Sequence, residues 1–156
     1  MAKLLLAYAY TTTVTKDGTA LNRPDAFTLD QNTPILLDHP DMTNSPRVNK
    51  GVILSSAYDE IGCKVAVVVF DDDLGVACKG LSITAPLKAY ASNKSGMTPL
   101  EVSLCKEISP NNPDCKILSC RDATPIELSL AELGDNVRKM SALASIMEEM
   151  KSVVAR

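Results

Sequence analysis

The sequence predicts a mainly β (α+β) protein: a small antiparallel β-barrel with short helices and a C-terminal amphipathic helix. Three observations carry that prediction. Short runs rich in Val, Ile, Leu, Thr and Tyr recur along the first 120 or so positions, each bounded by Gly, Pro, Asn or Asp. Aromatic residues are only 4% of the chain and Trp is absent, so the core must be aliphatic. From Val137 onward the apolar positions recur at spacings of three and four, the period of a helix face. The chain divides accordingly into a β-barrel unit, residues 1–122, and a helical segment, residues 123–156.

Bulk properties bound the function. At 156 residues the chain can bury one real core. Its 46% hydrophobic and 22% charged content is that of an ordinary globular protein. The formal net charge of −3 argues against nucleic acid as the main partner, because phosphate binding needs a basic surface. No apolar run approaches the length of a membrane span. Five cysteines, with no CxxC pair and a single histidine, do not supply a zinc set and read as reduced thiols.

Taken in order, Lys3 to Val14 reads as a buried first strand rather than a signal peptide, since no small-residue cleavage site follows. Lys16-Asp17-Gly18-Thr19 and Asn22-Arg23-Pro24-Asp25 read as turns. Thr33 to Leu37 is a short apolar strand that runs into Asp38-His39-Pro40-Asp41, where Pro40 is expected to hold His39 extended. Gly51–Tyr58 and Cys63–Phe70 form two strands about a hairpin loop. Asp71 caps a short helix over Leu74 to Lys79, closed by Gly80. Leu81 to Pro86 and Thr98 to Ile108 are strands, separated by a polar loop; Ser109 to Asp114 is a turn-rich loop and Cys115 to Cys120 a last strand. Thr124, Pro125 and Glu127 start the tail helix, which Gly134-Asp135-Asn136 is expected to interrupt or cap. The stripe Met140, Leu143, Met147, Met150 and Val154 fits either packing on the chain's own sheet or a contact with a second chain.

Chemistry concentrates in three stretches. His39, the only histidine, is the one side chain whose ordinary pKa lies near neutrality, which suits a general base. Strand alternation puts Ser82 on the face opposite Leu81 and Ile83, pointing out of the core. The same alternation places Glu101 and Ser103 together, opposite Leu100, Val102 and Leu104, and a carboxylate there could orient an imidazole. On the residues alone, the bland alternatives stay open: a surface histidine, a strand serine and a solvated strand face. Cys105 and Cys78 are rival nucleophiles only where a nearby base lowers their pKa.

Three segments, in this order, resemble those of the prohead (capsid maturation) protease of tailed bacteriophages, whose fold is similar to that of herpesvirus assemblin. They are Pro34-Ile35-Leu36-Leu37-Asp38-His39, Lys79-Gly80-Leu81-Ser82-Ile83, and Leu100-Glu101-Val102-Ser103-Leu104 followed by Pro110-Asn111-Asn112-Pro113-Asp114. The likeness runs from about Thr33 to Leu118. Thr84 stands where that family usually has Gly, and Asn111 and Cys115 where Ala is common. The resemblance implies a serine endopeptidase with His39 as base, Ser82 as nucleophile and Glu101 as third member; Ser103 is the alternative nucleophile. Asn112 and backbone N–H groups of its loop are candidates for the oxyanion site. It further implies scaffold and major capsid proteins, and the chain itself, as substrates, inside the prohead in the bacterial host cytoplasm. It implies no cofactor and no metal, and a possible homodimer through the C-terminal helix. A non-catalytic head or scaffold protein that keeps the fold is the alternative.

Overall fold

The computed structural model describes residues 1–155. Seven strands and four helices follow one another as β1 (Lys3–Thr11), β2 (Ile35–Leu37), α1 (Pro40–Thr43), β3 (Gly51–Tyr58), β4 (Gly62–Val69), α2 (Asp72–Ala77), β5 (Gly80–Thr84), α3 (Leu87–Tyr90), β6 (Glu101–Cys105), β7 (Ile117–Asp122) and α4 (Pro125–Val154), with a 3-10 turn at Pro113–Cys115. The α+β class is as expected. The strands do not close into one barrel: they form a four-stranded sheet, β3-β4-β1-β7, and a three-stranded sheet, β2-β6-β5. Nor are all the pairings antiparallel, for β2 runs parallel to β6.

The main core lies between the sheets, where Leu5, Ala7, Phe27, Ile35, Val65, Leu81, Val102 and Leu104 are fully buried. The four-stranded sheet is covered on its other face too. There Val52, Val68 and Ala2 pack under Ala131 and Leu128 of α4. Coverage of both faces explains why β4 reads as a continuous apolar run: Val65, Val67 and Val69 face one layer and Val68 the other. Burying each such side chain is worth roughly 1.5–3 kcal/mol.

The helix starts follow the sequence closely. Asp71 accepts from the Leu74 N–H at the head of α2, and Thr124 with Glu127 forms a capping box on α4. The ends differ. Cys78 closes α2, while Gly80 already belongs to β5, where a Cβ would lie 2.4 Å from the Cys115 carbonyl oxygen and only glycine fits. Gly134 does not break α4. It is buried against β3, where a Cβ would come within 3.0 Å of Val52, so its missing side chain lets the helix approach the sheet. Beyond that crossing α4 leaves the sheet, and Met140, Leu143, Met147, Met150 and Val154 are all exposed. The stripe therefore does not pack on the chain's own strands. The segment Leu87–Tyr90, part of the stretch expected to be a polar loop, is a single short helix.

Candidate active site

Register builds the site. β5 and β6 pair antiparallel with Ser82 opposite Ser103 and Thr84 opposite Glu101. Side chains directly across an antiparallel pair share a face. One face of this ladder thus carries four polar groups, Ser82, Thr84, Glu101 and Ser103, while Leu81, Val102 and Leu104 fill the core from the other. A one-residue slip would exchange the two sets.

β2 delivers the histidine. It runs beside β6 with Leu36 level with Ser103, then turns sharply through two residues in left-handed conformation, Asp38 (φ 50) and His39 (φ 48). The expectation that Pro40 keeps His39 extended is therefore wrong. Pro40 instead begins α1, and tertiary hydrogen bonds decide the turn. The Asp38 N–H donates to the Leu104 carbonyl at 3.0 Å. The Asp38 carboxylate, itself buried, accepts from the backbone N–H groups of Lys106 (2.8 Å), Glu107 (3.0 Å) and Ile108 (3.4 Å). Each positive-φ residue of this kind stores about 1–3 kcal/mol of strain, which such anchoring must offset.

At the end of that turn the imidazole reaches across to β5. His39 Nε2 lies 2.8 Å from Ser82 Oγ. On its other edge, Nδ1 lies 2.8 Å from Thr84 Oγ1 and 3.3 Å from Glu101 Oε1. Thr84 Oγ1 donates to Glu101 Oε1 at 3.1 Å, and Ser103 Oγ donates to Glu101 Oε2 at 3.3 Å. Ser103 Oγ in turn accepts the His39 backbone N–H at 2.9 Å. With the Thr84 hydroxyl donating to Glu101, the network assigns the ring proton to Nδ1, which leaves Nε2 to accept from Ser82. The circuit begins on the main chain of His39, passes through Ser103, Glu101 and Thr84, and returns to its ring.

The electrostatics follow from burial and these bonds. Burial alone would push the Glu101 carboxyl up, but hydrogen bonds from His39, Thr84 and Ser103 outweigh it and hold the group below its ordinary value. Glu101 is thus a buried carboxylate facing an imidazole, placed to hold that ring in one orientation. The cysteines are set the opposite way. Burial pushes the Cys105 thiol up to about 12 and that of Cys78 up to about 11, so neither supplies thiolate near neutral pH.

Of the expected residues, His39, Ser82 and Glu101 come together. Ser103 lies at the same site but is fully buried, and its hydroxyl contacts the His39 main chain rather than Nε2. Asn112 donates from Nδ2 to Thr11 Oγ1 at 2.7 Å, and its Oδ1 accepts the Asp114 N–H. It lines a cavity of about 30 Å³ beside Ser82, together with Tyr10, Leu21 and Ile83. Ser82 also opens on a groove of about 540 Å³ between Met42, Leu87, Tyr90 and Ile108.

Two residues of the site escaped the sequence reading. Thr84 was legible: it shares strand parity with Ser82, which puts both hydroxyls on one face. Asp38 gave no usable signal, because an aspartate beside a histidine in a loop is ordinarily solvated. Among the described residues no cluster of three or more His, Cys, Asp or Glu side chains is placed to hold a metal ion. No helix there is long and apolar enough to cross a membrane.

The chain matches no protein-family model and no curated protein. Its fold is similar to that of a solved protease from KSHV, crystallised with a hexapeptide phosphonate inhibitor. The likeness spans 83% of this chain and 69% of that one, with a TM-score of 0.50 and 12% sequence identity. The chain therefore has a protease-like fold of the kind seen in a herpesvirus enzyme.

Proposed function

We propose that the chain is a serine endopeptidase with Ser82 as nucleophile, His39 as general base and then acid, and Glu101 as the orienting carboxylate. The observation that carries this reading is the 2.8 Å approach of His39 Nε2 to Ser82 Oγ, with the ring's other nitrogen held by Thr84 and Glu101. Ser82 Oγ attacks the scissile carbonyl carbon as its proton passes to Nε2. The tetrahedral adduct collapses, Nε2 returns the proton to the leaving amine, and an acyl-enzyme remains for water to hydrolyse. Glu101 favours the imidazolium formed in between. Asn112, whose Nδ2 carries a second N–H beyond the one bound to Thr11, is proposed as a donor toward the oxyanion. Ser82 is preferred to Ser103 because only Ser82 meets Nε2 and opens on the groove.

The finer reading is maturation of a phage prohead, with scaffold protein, major capsid protein and the chain itself as substrates inside the prohead in a bacterial cytoplasm. Its support is the ordered resemblance of the three sequence segments, together with the fold likeness to a viral protease. On this reading residues 1–122 form the protease unit and 123–156 a helical segment. The exposed stripe from Met140 to Val154 is then the natural contact for a homodimer. A head or scaffold protein that keeps the fold without activity is the competing reading.

The test is expression of the wild type beside Ser82→Ala, Ser103→Ala and His39→Ala, with mass spectrometry of products from the chain itself and from a co-expressed scaffold. Cleavage in the wild type, lost in Ser82→Ala and His39→Ala, is the expected outcome. Full activity in His39→Ala sinks the mechanism. Loss in Ser103→Ala with activity kept in Ser82→Ala moves the nucleophile.

A further inference from the structure

The groove at Ser82 has a neighbour of opposite character to the chain's acidic balance. A second cavity, of about 550 Å³, lies between Lys16, Lys79, Lys116, Ser109, Pro110 and Pro113. Lys16 and Ser109 line both this cavity and the Ser82 groove, so the two adjoin. Its three lysines come from separate parts of the chain: the turn after β1, the residue before β5 and the residue before β7. Their main chains are pinned round one loop. The Lys16 N–H donates to the Asn111 carbonyl, the Lys79 N–H to the Cys105 carbonyl, and the Ile117 N–H to the Lys79 carbonyl, while Lys116 bridges to Gly80.

None of the three ammonium groups takes part in any ion pair among the described residues. The carboxylate nearest in sequence, Asp17, is bound to the hydroxyls of Thr15 and Thr19. Three cations lining one concavity repel one another, and an anion bound among them would relieve that repulsion.

We infer that this cavity takes carboxylate side chains of the substrate polypeptide, so that the groove selects acidic segments near the bond presented to Ser82. The inference rests on the endopeptidase reading for its role, but the site itself does not need catalysis. An acidic polypeptide fits better than nucleic acid on two grounds. The cations form a compact cluster and not a track, and they adjoin a groove with apolar walls at Met42, Leu87 and Ile108 that suits peptide side chains.

The experiment separates binding from cleavage. In a Ser82→Ala background, fluorescein-labelled peptides carrying either four Glu or four Gln residues are titrated and followed by anisotropy. The acidic peptide should bind about tenfold tighter at about 50 mM salt, and the preference should fade at about 500 mM, as for exposed ion pairs. Replacing all three lysines (Lys16→Gln, Lys79→Gln, Lys116→Gln) should bring the ratio to near one. A control, Lys64→Gln, removes a lysine that lies over the Tyr8 ring and should keep the preference. Equal binding of the two peptides, or a preference kept in the triple variant, overturns the inference. So does tighter binding of a single-stranded oligonucleotide than of the acidic peptide. Cleavage by the Ser82 chain without any charge preference removes this site and leaves the protease. A lysine-dependent acidic preference without cleavage removes the protease and leaves the site.

Discussion

Thr84→Val is the sharpest probe of how the imidazole is held. The change keeps a branched side chain of similar volume and deletes only the hydroxyl. His39 Nδ1–H then loses its 2.8 Å acceptor and Glu101 Oε1 its 3.1 Å donor. What remains is the direct Nδ1···Oε1 contact at 3.3 Å, too long to be a strong bond without movement. A hydrogen bond to a charged group is worth about 1.5–3 kcal/mol, and the surviving contact makes up part of the loss. The lower end therefore applies, about 1.5 kcal/mol, or roughly tenfold in kcat/KM. The loss should fall on kcat, because the imidazolium forms only as the reaction proceeds. Thr84→Ser restores the hydroxyl and should recover most of the rate.

A second readout needs no substrate. His39 is the only histidine, so imidazole nitrogen resonances report on this residue alone. In the wild type they should show the neutral ring protonated at Nδ1, and Thr84→Val should shift the mixture toward the other tautomer. If Thr84→Val keeps kcat/KM within about twofold of wild type and leaves the tautomer unchanged, Glu101 alone holds the ring and the role of Thr84 is refuted.

Three other outcomes follow from the geometry. Asp38→Ala removes the acceptor of three backbone N–H groups and frees a left-handed turn, so it should cost about 2–4 kcal/mol in urea unfolding and lower activity, since Ile108 of the tied segment lines the groove. Gly134→Leu forces a side chain into the contact with Val52, and thermal unfolding should reveal a loss of about 1–3 kcal/mol despite the better helix former. The Glu101 carboxyl is held below its ordinary value, so its contribution to stability is present above about pH 4.5 and is lost as pH falls through the lower folded value. Denaturant titrations across that range should show a shallower acid limb for Glu101→Gln than for the wild type.

Much of this was written in local sequence. Strand parity alone separates Ser82, Glu101 and Ser103 from Leu81, Val102 and Leu104, because a strand's side chains alternate whatever the fold. The capping residues Asp71 and Thr124 are legible for the same reason: their hydrogen bonds reach only three positions on. What could not be read depends on partners distant in the chain. The left-handed turn at Asp38 and His39 is set by residues 103–108, over sixty positions away. Gly134 carries a usual stop signal, yet contact with Val52 overrides it. Closure into a barrel likewise cannot be inferred from strand runs, since each half-buried strand looks the same in one sheet or two.

The separations within the hydrogen-bond circuit bear on when the site first exists. His39 is bound to residues 43, 45, 62 and 64 positions further along the chain. None of these partners of His39 is local, and a chain emerging from the ribosome holds Ser82 and His39 for some time before Glu101 and Ser103 appear. Contacts of such sequence separation form late and cooperatively. Under the proposed activity, a partly made or partly folded chain lacks an oriented base, and hydrolytic power arrives only with the finished β5–β6 pairing. On that proposal the topology ties competence to completion, and an unfinished chain should show no Ser82-dependent cleavage.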